Sequence, residues 1–102
     1  MPTLTWQAPI RYGSQGDETA FFTWLQSIPG VASVGGHGRE LHIRLRSKRL
    51  SASSLRELIA LYARYGGNMH ELAQFSHPSN ESWFKVKGTY WYAGVFGSGG
   101  VA

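Results

Sequence analysis

Residues 3–10 show the alternation of a strand that is buried on one face. Every second position is apolar, at Leu4, Trp6, Ala8 and Ile10. A period of two predicts a strand with one side on the core. Pro9 has no amide proton to donate to a neighbouring strand, so we expect this strand to lie at a sheet edge or to end there.

Residues 31–46 are typical of a β-hairpin. The run Gly35-Gly36-His37-Gly38 provides the glycines that a tight turn requires. After it, apolar residues alternate strictly with polar and charged ones, at Leu41, Ile43 and Leu45. This is the clearest strand in the chain, and its polar side chains must project from the face opposite the core.

The segment after Asp17 has the spacing of an amphipathic helix. Its apolar positions fall on one face, at Phe21, Trp24, Leu25 and Ile28. Asp17 is the predicted N-cap, and the acidic Glu18 in the first turn suits the positive end of the helix. Pro29-Gly30 ends it.

A second helix is predicted over 51–65. Its apolar stripe comprises Leu55, Leu58, Ile59, Tyr62 and Tyr65. Ser51 is one candidate N-cap, and Ser54 with Glu57 forms a competing capping box three residues later. Gly66-Gly67 is the expected C-cap.

The last third of the chain has a less regular pattern. A strand is expected at 72–75, with a short helix capped by Asn68 as the alternative. Residues 83–86 and 90–96 are predicted to form a closing hairpin around Gly88. Residues 97–102 are rich in glycine and are expected to form a flexible tail.

This order of elements predicts an α+β fold. A β-α-β-β-α-β core with two further C-terminal strands would form one mainly antiparallel sheet with both helices on one face. A ferredoxin-like core with an extended sheet is the simplest such arrangement. We expect a single domain over 1–96, in which the uncovered face of the sheet is the surface of interest.

Composition narrows the class of protein. The 102 residues suffice for one domain, and the absence of cysteine excludes disulfide scaffolds, thiolate zinc sites and cysteine nucleophiles. No signal peptide begins the chain, and no apolar run approaches the roughly 20 residues of a membrane helix. We therefore expect a cytoplasmic protein without contact to a membrane.

Positive charge is concentrated in one segment. The net charge of the chain is +4, and residues 39–49 alone carry a net +4. Five residues of this segment are candidate partner-binding residues: His42, Arg44 and Arg46 on the outward side of the strand, and Lys48 and Arg49 in the loop after it. The patch is either a solvated face that protects a sheet edge from aggregation or a docking site for nucleic acid or an acidic protein.

A second candidate surface lies near the C-terminus. If residues 83–96 form strands, alternation places one set of aromatic side chains on the core and exposes another beside lysines. The candidate partner-binding residues there are Trp83, Lys85, Tyr90 and Tyr92. Tyrosine and tryptophan are common in the centres of protein interfaces. The alternative is that added strands or the tail cover them.

Residue patterns that carry catalysis or bind cofactors are missing. The four histidines lack the spacing of a metal site, and the single aspartate and five glutamates are scattered. The glycines at 35–38 precede a strand, whereas a dinucleotide-binding loop precedes a helix. We therefore expect a non-catalytic protein with no metal and no cofactor.

Several segments resemble small bacterial immunity proteins of polymorphic and contact-dependent toxin systems. These are 16–25 (GDETAFFTWL), 38–41 (GREL), 55–62 (LRELIALY), 72–75 (LAQF) and 80–84 (NESWF). The resemblance implies a cytoplasmic inhibitor that binds and occludes a toxin, and it implies this role without assigning particular residues. Immunity proteins against nucleases are often acidic, whereas this chain is basic, so its toxin would need an acidic face or a largely aromatic contact.

The alternative function is binding of RNA or single-stranded DNA. The predicted element order matches an RNA-recognition module, but the strand at 39–46 has no outward aromatic residue for stacking and lacks that module's sequence signature. Arg44, Arg46, Lys48 and Arg49 would still contact phosphates without much selectivity. Either function is compatible with a monomer or a homodimer.

Overall fold

The protein is an α+β protein with a three-stranded antiparallel sheet and several helices. We analysed a computed structural model, which describes residues 2–7, 10 and 12–97. Its strands are β1 (Thr3–Gln7), β2 (Val31–His37) and β3 (Glu40–Leu45). Its helices are α1 (Gln15–Ser27), α2 (Ala52–Tyr65), a 3₁₀ helix (Met69–Phe75), α3 (Glu81–Phe84) and α4 (Tyr92–Phe96). Residues 8–9 of the predicted first strand and 98–102 of the predicted tail lie outside the described residues.

β3 lies in the middle of the sheet, because the strand order is β1-β3-β2. It pairs antiparallel with both neighbours, so β1 and β2 run parallel to each other with β3 between them. The predicted hairpin of β2 and β3 is confirmed. Its turn is shorter than predicted, since β2 continues through His37 and only Gly38 of the four turn residues adopts a positive φ, of 61°.

The core forms between one face of the sheet and the helices α1 and α2. The sheet contributes four buried side chains, Leu4, Trp6, Ile43 and Leu45. Trp6 lies between the helices: its ring packs edge-on against Phe21 of α1 at 5.2 Å and tilted against Tyr62 of α2 at 4.5 Å. Burying one large apolar side chain contributes about 1.5–3 kcal/mol, and through Trp6 this contribution joins both helices to the sheet.

The ends of α1 and α2 are capped by side chains. Ser14, rather than the predicted Asp17, is the N-cap of α1, because its hydroxyl accepts the amide proton of Asp17 at 3.2 Å. Ser51 caps α2 by accepting the amide proton of Ser54 at 3.1 Å, so the first of the two predicted caps is the one used. Gly66 ends α2 in the left-handed region with φ of 77°, as predicted.

The last third of the chain is helical, and the strands predicted at 72–75, 83–86 and 90–96 are wrong. The buried residues are three or four positions apart, as in Leu72 and Phe75 and in Trp91 and Val95. That spacing places them on one side of a helix, whereas in a strand Leu72 and Phe75 would point to opposite faces. Asn68 starts the 3₁₀ helix by accepting the amide proton of His70 at 3.2 Å. The described residues therefore form a sheet of three strands, without the fourth strand of the predicted core.

Glu71 of the 3₁₀ helix closes part of the outer edge of β1. Its carboxylate accepts the backbone amide proton of Thr5 at 3.0 Å and the hydroxyl proton of Tyr62 at 3.3 Å. Burial, reinforced by the Glu71 charge, raises the pKa of Tyr62 well above its usual range, so this hydroxyl stays protonated and donates. One side chain thus joins β1, α2 and the 3₁₀ helix.

We predict that Gly67→Ala destabilises the protein by about 1–3 kcal/mol, the usual cost of overpacking a core. A Cβ atom at Gly67 would lie 2.5 Å from the Tyr62 ring and 2.9 Å from Trp6. Urea unfolding would measure the loss. Gly35→Ala is the matched control, since its Cβ would meet no atom within 4 Å. Equal stability of the two variants would contradict this account of the core.

We further predict that stability falls in acid through Asp17. The Gly13 amide proton at 2.8 Å, the Tyr65 hydroxyl proton at 2.8 Å and the Arg64 guanidinium hold the pKa of Asp17 below its ordinary value of 3.8. A carboxyl whose pKa is lowered by folding stabilises the protein above pH 3.8, and this contribution is lost as the pH falls through the lowered value.

Asp17→Asn removes this titration, so its free energy of unfolding should change less steeply than that of the wild type below pH 3.8. Denaturant unfolding at a series of pH values would measure the slope. If Asp17→Asn has the wild-type slope, the hydrogen bonds to Asp17 do not act as described.

Candidate functional site

The outward face of β3 carries the polar residues that its alternation predicts. Leu41, Ile43 and Leu45 point to the core side, whereas His42 and Arg44 project from the face that the helices leave uncovered. Arg46 follows directly and is exposed, and its amide donates to the carbonyl of Gly30 at 2.9 Å. Because β3 is hydrogen-bonded on both sides, these charged side chains stand on the most constrained backbone of the sheet.

The neighbours of this row have short side chains. The register places Arg44 between Thr3 of β1 and Ser33 of β2, and His42 between Thr5 and Gly35. Short neighbours cannot cover a guanidinium, so Arg44 is exposed. We call the outward surface of the three strands, together with Arg46 and the following turn, the basic face.

A shallow trough of about 340 Å³ runs along the β2 side of the basic face. It is lined by Ser33, Val34, Gly35, Gly36, His42 and Arg44. Its floor is low because Gly35, which lies opposite His42 on the outward face, has no side chain, and a Cβ atom at Gly35 or at the adjacent Gly36 would meet nothing within 4 Å. Neither glycine has a positive φ. The open space is therefore not required by packing or by backbone conformation.

One carboxylate on this face is held by its neighbours. Glu40 lies 2.9 Å from the imidazole Nε2 of His42 and accepts a hydrogen bond of 3.0 Å from the side-chain amide of Gln7. Four cations of the same surface have no such partner: among the described residues, no ion pair is formed by Arg44, Arg46, Lys48 or Arg49. The face therefore presents positive charge that no ion pair within the described part of the chain neutralises.

The loop that carries Lys48 and Arg49 bends at Arg46 and Lys48 and is braced by the side chain of Ser47. The hydroxyl of Ser47 accepts the amide proton of Arg49 at 3.0 Å, and Ser51 caps the helix that follows. The first turn of α2 contains no acidic residue, so the partial positive charge of the helix end adds to that of the two side chains. The five residues predicted between 42 and 49 thus lie together on β3 and the adjoining turn.

The predicted C-terminal site residues lie elsewhere, in and beside short helices. Trp83 is half-buried under the guanidinium of Arg56, 4.2 Å from the ring centroid, and Tyr92 packs on Phe96 at 5.6 Å. The ammonium of Lys85 also lies over Phe96, at 5.5 Å. The strands on which this surface was predicted are replaced by α3 and α4, which turn successive side chains by about 100° rather than alternating them, but Trp83 and Tyr92 are partly exposed and Lys85 is exposed.

Tyr90 is the most exposed aromatic residue of this set, with 66% of its surface accessible. Its ring packs edge-on against the buried Trp91 at 5.0 Å. Partial burial and the charge of Glu57 raise the pKa of Tyr90, so its hydroxyl is protonated at neutral pH. Among the described residues, no ion pair or ring contact joins this region to Arg44, Arg46, Lys48 or Arg49. The two predicted halves of the site are not brought together.

Sequence reasoning missed the contacts that tie the helices to each other. The indole of Trp24 donates to the carboxylate of Glu57 at 2.8 Å, and Arg56 stacks on Trp83. These partners are far apart in the chain, so no local spacing signals them. The trough was also missed, although Gly35 and Gly36, which line it, are plain in the sequence.

A second depression, of about 400 Å³, lies at the outer edge of β1 between the end of α2 and the 3₁₀ helix. Both carboxylate oxygens of its Glu71 accept hydrogen bonds within the protein. Among the described residues, no three His, Cys, Asp or Glu side chains are grouped so that they would hold a metal ion. No helix within the described part of the chain has the length and apolar character to cross a membrane.

Comparison of the chain with protein-family models, with curated proteins and with solved structures finds no match. Its function has to be argued from its own surface, and the basic face is the most distinctive part of that surface.

We predict that the cations of the basic face contribute little to folding. The double variant Arg44→Gln/Arg46→Gln should keep the free energy of unfolding within about 0.5 kcal/mol of the wild type, as is usual for exposed residues without partners. Denaturant unfolding would measure it. A loss of more than about 1 kcal/mol would show that these side chains have a structural role.

Proposed function

We propose that this protein is a non-catalytic binding protein that uses the basic face to dock onto an acidic surface of a partner protein. One observation carries the proposal: Arg44 on β3 and Arg46, Lys48 and Arg49 directly after it are exposed, and among the described residues none of them has an ion-pair partner. Arginine also suits such a contact because its guanidinium binds carboxylates through two parallel hydrogen bonds.

Two features of the basic face favour a protein over a nucleic acid as the partner. The described side chains that β1, β2 and β3 project outward include no phenylalanine, tyrosine or tryptophan, so the imidazole of the half-buried His42 is the one ring among them that bases could stack on. Glu40 stands in the same row as Arg44, and a carboxylate repels a phosphate backbone. A protein surface of mixed charge accommodates a face on which one glutamate stands among several cations.

The resemblance to immunity proteins supplies the class of partner. A cytoplasmic immunity protein neutralises a toxin by occupying its surface and needs no catalytic group of its own. An acidic toxin domain would match the basic face in charge, and it would account for a basic protein in this role. The partner to test first is therefore a toxic domain encoded by a gene next to that of this chain.

We predict that the chain relieves the growth arrest caused by that domain and forms a complex that weakens as salt rises. Arg44→Gln/Arg46→Gln should weaken the complex about tenfold or more, because two charge-assisted contacts are lost. Growth on co-expression and titration calorimetry at several salt concentrations would measure relief and affinity.

Lys85→Gln/Lys87→Gln is the matched control, since it removes the same charge from the C-terminal region and should leave affinity nearly unchanged. Equal weakening by both double variants would show a general charge effect and contradict the proposal. The proposal would also be contradicted if the protein encoded by the neighbouring gene did not bind and single-stranded nucleic acid did, with a salt dependence that Arg44→Gln/Arg46→Gln makes less steep.

A further inference from the structure

The sheet ends differently on its two sides. On the β1 side, Glu71 accepts an outward amide proton and the 3₁₀ helix occupies part of the edge. On the β2 side, residues 32–37 make no backbone hydrogen bond other than those to β3 among the described residues. An edge strand leaves alternate amide and carbonyl groups unpaired, and these can pair with another strand.

The outer edge of β2 has few of the features that keep edges from pairing. Its sequence, VASVGGH, contains no proline and no lysine, arginine, aspartate or glutamate. An irregularity between Val31 and Ser33 disturbs the first part of the strand. Such irregularities hinder pairing locally. The regular part that remains open is 33–37.

The trough of the basic face lies directly beside this edge. Ser33 and Gly35 are exposed and have a short side chain or none, so no long side chain separates the edge of β2 from Arg44 on the next strand. Adjacent strands are about 4.8 Å apart, which places a strand added beyond β2 about 10 Å from β3. A glutamate side chain from the added strand and the arginine side chain from β3 together span that distance over the trough.

We propose that the outer edge of β2 accepts an extended acidic segment of the partner as a further strand, whose carboxylates lie across the trough and bind Arg44. The inference deepens the function proposed above and rests on it. Backbone hydrogen bonds to 33–37 would hold the segment, and every second side chain of the segment would contact the basic face. Charge favours an acidic segment over a second copy of this chain, because a second copy would bring two rows of unneutralised cations onto one continuous sheet.

Short capped peptides would test the inference without knowledge of the partner. The probe is an extended peptide of alternating Thr and Glu, and the charge control is the same peptide with Lys in place of Glu. In ¹⁵N NMR titrations of the full chain, the Glu peptide should shift the backbone amides of 33–37 and the Lys peptide should not.

Two further probes carry N-methyl groups, one on all Glu nitrogens and one on all Thr nitrogens. In a strand, alternate amides point to opposite edges, so only one of these peptides loses the donors that face β2. We expect that peptide to bind about tenfold more weakly and the other to bind like the parent. Strand addition would be overturned if the two N-methylated peptides bound equally well or if neither of them bound. It would also be overturned if the parent Glu peptide did not bind, or if it shifted amides away from β2. A dimer of the free chain that is held together by β2 would overturn the inference as well.

A variant of the trough gives a second measurement. Gly35→Val fills the trough without a change of charge, and Gly35 has room for a Cβ and no positive φ. We expect it to weaken the Glu peptide about tenfold while the unfolding curve stays close to that of the wild type. Unchanged peptide affinity would count against carboxylates lying over the trough.

Failure of this inference and failure of the proposed function can be told apart. If the Glu peptide binds regardless of N-methylation and Arg44→Gln/Arg46→Gln still weakens the toxin complex, the face binds acidic groups without strand addition. If the double variant leaves the toxin complex intact, the basic face is not the docking site and the proposed function itself is wrong.

Discussion

The pairing of β3 with strands on both sides is the constraint on which the rest of the structure depends. It joins β1 to β2, which run parallel and are connected across the helical layer by α1. It also fixes which side chains face the core, because a shift of one residue would bury Arg44 and expose Ile43. The burial of Ile43 and Leu45 therefore determines, through the register, where the basic residues stand.

The same pairing leaves the sheet with two outer edges. One of them is partly covered, and the other is open among the described residues. A fourth strand beside β1 would have closed one of them, but the chain forms a 3₁₀ helix there and uses Glu71 to accept the outward amide proton of Thr5. Tyr62 secures that carboxylate from α2. No comparable device covers 33–37 of β2 among the described residues. The open edge is thus the one that adjoins the trough and Arg44.

The first two thirds of the fold could be predicted because each element there has one clear period. β1, β3 and α2 follow their apolar patterns to within a few residues, and Gly66 ends α2 as expected. The last third failed because its aromatic residues come in short runs, in which a strand and a helical turn have similar patterns. Leu72 with Phe75 and Trp91 with Val95 had the helical spacing, but segments of four to seven residues are too short for spacing alone to decide.

The candidate site divides in the same way. Alternation placed His42 and Arg44 on the outward face correctly, since that inference needs only the strand itself. The trough depends on cross-strand neighbours, Ser33 and Gly35, and their register with β3 cannot be read from one segment. Trp83 and Tyr92 were assigned to a surface that exists only if residues 83–96 form strands. What remains is a set of cations that the core does not need: Arg44 on the strand that the core constrains most, and Arg46, Lys48 and Arg49 in the segment directly after it. A surface of this kind is suited to binding, because its charges can change with the partner while the hydrophobic contacts beneath them keep the fold.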